Sequence, residues 1–101
     1  MARGNNVRPA KWSNVIDLYD DGVNSAIWGN YEDLPNNRCL GVRWNGDDDE
    51  HGYPNQGNNP LWYVEPQFVT KYILLELLSR VNKNKDKGHI ENILQALNEC
   101  S

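Results

Sequence analysis

At 101 residues and 11.6 kDa the chain has room for one hydrophobic core, because two smaller units would each bury too little surface to offset their conformational entropy. Four Trp, five Tyr and one Phe in a chain that is 39% hydrophobic and 24% charged exclude a disordered polymer. No apolar run reaches the roughly 18 residues of a membrane-spanning segment, so no membrane association is expected.

The net charge of −4 hides an asymmetry: Arg3, Arg8 and Lys11 make residues 1–13 basic, ten acids against Arg38 and Arg43 make 14–65 strongly acidic, and 66–101 are nearly balanced. An acidic middle repels phosphate, which disfavours direct nucleic-acid binding and favours a cationic protein surface. Residues 1–10 hold no apolar stretch of signal-peptide length, so a cytoplasmic location is expected. Cys39 and Cys100 belong to no CxxC or Cys/His cluster; they read as reduced thiols, not as metal ligands or a redox pair.

Residues 1–13 read as a basic flexible lead and 14–101 as a single α+β domain. In chain order, residues 14–19 and 23–31 alternate β-branched and aromatic side chains around Asp21-Gly22, a pair suited to a tight reversal; this predicts a hairpin. Ile16 and Leu18 share one face, as do Ala26 and Trp28. Residues 38–45 give a third strand with Leu40, Val42 and Trp44 on one side and Cys39, Gly41 and Arg43 on the other. Gly41 leaves space for a large ring, Trp28 or another, and Arg43 is expected to point outward and pair with Asp17 or Glu32.

Residues 45–60 lack apolar periodicity and read as a long loop. Leu61 to Val64 then return as a fourth strand beside the third. Glu65-Pro66 opens a helix whose apolar stripe is expected at Phe68, Val69, Tyr72, Ile73, Leu75, Leu78 and Val81, widened by Leu74 and Leu77. Ile90, Ile93, Leu94 and Leu97 mark a second helix with Asp86 as its cap. The fold predicted is a small antiparallel sheet of about four strands backed by two C-terminal helices. The excess apolar face of the first helix makes a homodimer through it a possible state.

Little here carries catalytic chemistry. Asp47, Asp49, His51 and Gly52 imitate the start of a calcium loop, but Asn58 stands where a bidentate Glu is required and Pro54 interrupts, so no metal is assigned. His51 and His89 are the only histidines, and no serine lies in a nucleophile-elbow context. No cofactor signature is present, and a non-enzymatic protein is expected. The candidate partner-binding residues are Asp47, Asp48, Asp49 and Glu50 with Tyr53, Trp62 and Tyr63. Clustered carboxylates would steer a basic partner and buried aromatics would slow its release, as in immunity proteins, antitoxins or anti-defence proteins of bacterial or phage type that block a nuclease or toxin. Two alternatives stand beside this: a small-ligand or carbohydrate-binding module using Trp, Tyr and Asn side chains, and an enzyme whose site sequence does not display.

Overall fold

Alternating β-branched and aromatic residues produce an antiparallel hairpin from β1 (Trp12–Asp20) and β2 (Asn24–Tyr31) in the computed structural model, which describes residues 11–32, 38–47, 52–56 and 59–100. The predicted reversal lies between them. Asp21 Oδ1 accepts the N–H groups of Val23 at 2.9 Å and Asn24 at 2.7 Å, Asp20 Oδ1 accepts that of Gly22 at 2.9 Å, and Gly22 has φ of 91°, where a side chain would be strained. β1 begins at Trp12, two residues before the expected start, and its register slips between Ser13 and Ile16 and again between Asp17 and Tyr19. The second slip places both Leu18 and Tyr19 in the core, which strict alternation would forbid.

β3 (Arg38–Trp44) pairs with β2 without interruption. Within residues 45–60, expected to be irregular throughout, β4 (Asn55–Gln56) and β5 (Asn59–Pro60) form a small ribbon of their own. Backbone pairing there needs no apolar alternation, so periodicity could not reveal it. β6 (Tyr63–Val64) returns antiparallel beside β3, setting Tyr63 opposite Val42 and Val64 opposite Gly41. The main sheet therefore runs β1-β2-β3-β6, and two helices follow it, an α+β fold.

The helices cover one face. α1 (Gln67–Lys83) starts after Pro66 and buries Thr70, Leu74, Leu77 and Val81, at i, i+4, i+7 and i+11. Phe68, Tyr72 and Leu75, expected in the buried stripe, are instead exposed. Apolar residues occupy so much of this helix that its sequence does not mark the arc's centre, and the sheet takes the Leu74/Leu77 side. α2 (Ile90–Cys100) buries Ile93 and Ala96. Asp86 does not cap it: Asp86 lies in a short 3-10 turn, Lys85–Lys87, where its own N–H is accepted by Asn84 Oδ1. The linker between the helices then lies along β1, with Gly88 bridged to Tyr19 and the His89 N–H donated to the Leu18 carbonyl. A side chain at Gly88 would run into that same carbonyl, and the contact shields a sheet edge.

Leu18, Ala26, Trp28 and Leu40 form the core with both helices. Glu99 near the end of α2 accepts the Trp28 indole N–H at 2.7 Å and pairs with Arg38, fastening that helix to the sheet. On the opposite face, Trp12, Ile27, Cys39 and Trp62 form a second cluster. The ring lying across Gly41 is Trp12: a Cβ there would sit 2.9 Å from Trp12 Cη2. Cys39 and Cys100 are free thiols on opposite sides of the sheet, Cys100 packing against the helix-side core. Among the described residues no helix is long and apolar enough to cross a membrane.

Candidate functional site

The sequence candidates divide according to which face of the sheet they reach. Because Tyr63 stands opposite Val42, its ring lies on the helix side, whereas Trp62 falls to the other side and is buried in the second cluster. Tyr53 pairs its backbone with Trp44 through two hydrogen bonds of 2.8 and 2.9 Å, which holds it beside the end of β3. Tyr53 is 66% and Tyr63 48% exposed. Asp47 is exposed three residues beyond Trp44, while Asp48, Asp49, Glu50 and His51 lie outside the described residues.

Tyr53 and Tyr63 stand at a cleft of about 540 Å³ between α1 and the sheet, with Ala26, Val42, Trp44 and Leu77 among its apolar walls. Its lining is mostly apolar. At one end polar groups close it: Arg80 Nε donates to Glu76 Oε2 at 2.7 Å, and the Tyr19 hydroxyl donates to Asp21 Oδ2 at 3.0 Å. Burial raises the Tyr19 phenol above its usual value, so it stays protonated as a donor near neutrality. Burial alone would raise Asp21 too, but the N–H groups of Asn24 and Val23, the Tyr19 hydroxyl and the charge of Lys87 outweigh it and hold this carboxyl below its usual range. The cleft thus has stacking surfaces at its mouth and two hydrogen-bonded polar pairs, Tyr19–Asp21 and Arg80–Glu76, at its end.

Two other polar groups near the cleft serve the scaffold. Asn45, fully buried, accepts the Ser25 hydroxyl at 2.7 Å and donates to Asp20 at 3.1 Å, locking the hairpin turn to the end of β3. Arg43, expected to point outward, is 2% exposed: its Nη1 donates to the Leu61 carbonyl at 2.6 Å and the Pro54 carbonyl at 3.3 Å, and the guanidinium lies 6.0 Å from the Trp62 ring centre. An arginine on the inward side of a strand can be buried when loop carbonyls receive its donors, and here residues 54 and 61 supply them. Burial lowers its pKa without discharging it.

Ser25 is engaged with Asn45, and His89 is exposed at the start of α2, away from the cleft lining. Among the described residues no group of three His, Cys, Asp or Glu side chains is placed to hold a metal ion. The contribution of Trp44, Tyr19, Glu76 and Arg80 to one cleft was not legible in sequence, since it depends on how α1 lies across the sheet. The Glu76–Arg80 spacing signalled only a helical ion pair. Comparisons of the chain with protein-family models, curated proteins and solved structures find no match.

Proposed function

We propose that this is a non-enzymatic binding protein of the cytoplasm that occludes a basic partner protein, in the manner of an immunity protein or antitoxin. Tyr53 and Tyr63 grip an apolar side chain of the partner at the mouth of the cleft. Asp47, Asp48, Asp49 and Glu50 steer the cationic surface around it. The observation that supports this most directly is the pair of exposed tyrosine rings at an apolar cleft, with the acidic run of the sequence starting three residues after Trp44. Rigid aromatic anchors at a pocket dominate interface energies, and surrounding charge acts mainly on the rate of encounter.

The test is affinity capture at low and high salt with three forms of the full chain. Wild type should retain a basic protein. Tyr53→Ala/Tyr63→Ala should lose it, and Asp47→Asn/Asp48→Asn/Asp49→Asn/Glu50→Gln should slow its association by about tenfold at low salt, with little effect at high salt. Retention of no basic protein, or retention indifferent to both variants, overturns the proposal.

A second reading, a small-ligand or carbohydrate module, draws support from the cleft's size, which lies within the range of small-molecule sites. Its signature is a saturable change in Trp44 fluorescence with a soluble sugar or aromatic compound, abolished by Tyr53→Ala.

A further inference from the structure

The outer side of α1 carries a second apolar stripe that the fold leaves unused. Phe68 is 79% exposed, Tyr72 71% and Leu75 44%. At 3.6 residues per turn these three fall roughly 160° from the centre of the arc formed by Thr70, Leu74, Leu77 and Val81, so they face directly away from the sheet. Their i, i+4, i+7 spacing, continued by the small residue Ser79, follows the d-a-d-a seam of a two-stranded coiled coil.

The flanking charges choose among occupants. Lys71 and Glu76, both exposed, sit on opposite sides of the stripe and five residues apart. In the seam's heptad they are a g position and the following e position, the two that meet between parallel helices. An antiparallel pairing sets g positions beside g and e beside e, so Lys71 and Glu76 would not meet across it. The stripe is therefore complementary to itself in one orientation.

We infer that α1 forms a parallel homodimer through Phe68, Tyr72, Leu75 and Ser79, with Lys71 of each copy facing Glu76 of the other. At their present exposure the two rings and the leucine offer about 400 Å² per copy, half of the roughly 800 Å² per partner of a standard stable interface. The dimer is accordingly weak, micromolar and not nanomolar, and concentration-dependent. Phe68, Lys71, Tyr72, Leu75 and Ser79 lie outside the cleft lining, so variants at these positions test the dimer separately from the proposed partner-binding function; Glu76, which also pairs with Arg80 at the polar end of the cleft, is shared by the two.

Sedimentation equilibrium of the full chain from roughly 10 μM to 1 mM tests it. Wild type should shift from monomer to dimer across this range. Phe68→Glu/Tyr72→Glu should raise the dissociation constant by about tenfold or more, with thermal melting confirming the fold of these exposed variants. Lys71→Glu and Glu76→Lys should each weaken the dimer and the double reversal should restore it, which only the parallel arrangement allows. Ser79→Cys in a Cys100→Ser background should crosslink under mild oxidation, since the two residues face each other across the axis. A monomer at every concentration overturns the inference, as does association that Phe68→Glu/Tyr72→Glu leaves unchanged. Failure of the double reversal to restore association overturns the parallel register.

Discussion

The two faces of the sheet solve the same burial problem with different materials. On the helix side, aliphatic residues of two helices interdigitate with Leu18, Ala26, Trp28 and Leu40, spreading stability over many similar contacts. On the other side Trp12 lies across Gly41, and Arg43 beneath Trp62 gathers the loop carbonyls of Pro54 and Leu61. There a few residues do what a whole layer does opposite. Removal of one aliphatic residue should thus loosen the entire domain, whereas removal of Arg43 or the Gly41 space should loosen one side first.

Adjacent residues put this to the test. Leu40→Ala, at a fully buried helix-side position, should cost about 3 kcal/mol, read as a lowered urea midpoint with amide exchange accelerated throughout. Arg43→Met should cost about 2 kcal/mol, since two carbonyls lose a charged donor. Exchange should rise at residues 52–62 before it rises in α1 or α2. Gly41→Val should cost about 1–2 kcal/mol by overpacking against Trp12 and Ile27, with faster exchange confined to the start of β1. If Arg43→Met accelerates the helices as much as Leu40→Ala does, the two faces are one cooperative unit and the contrast fails.

This contrast also explains what could be read in the sequence. The hairpin, the facing of Leu40 and Val42, the return of Tyr63 and Val64 beside β3 and the two helices are local properties: alternation, a Gly at the turn, a 3.6-residue repeat. The helix-side core follows from them. The opposite face depends on distant partners. Gly41 announced space for a ring, yet nothing local says that Trp12 fills it. Arg43 looked outward because the carbonyls that accept its protons are 11 and 18 residues further along. In the candidate site, Tyr53 and Tyr63 were legible as aromatics within and just after a long loop. Trp62 between them was not separable until the register of β6 sent it to the other face. The choice of arc on α1 was hidden for a different reason: a helix with leucines on several sides carries no internal mark of which side the sheet will take.

Acid offers the gentlest way to separate the faces, because their polar anchors titrate differently. Glu99 is held below the usual carboxylate range chiefly by the Trp28 indole N–H, aided by Gln95 and Arg38 and opposed by burial. A carboxylate with a lowered folded pKa contributes stability above its unfolded pKa and loses it as pH falls through the folded value. The fastening of α2 to the sheet should therefore weaken from roughly pH 5 downward, by a small amount because the pair with Arg38 is partly exposed and screened. Asp21, also lowered, adds to the same slope. Arg43 keeps its charge throughout, so its hold on the Pro54 and Leu61 carbonyls should not loosen with acid. Amide exchange corrected for intrinsic rates should show α2 opening earlier than residues 52–62 on acidification. Glu99→Gln should flatten the acid limb of the urea midpoint while lowering stability slightly at neutral pH. An acid limb unchanged by Glu99→Gln would mean that α2 is held by apolar packing alone, and that its carboxylate is an ornament of the surface.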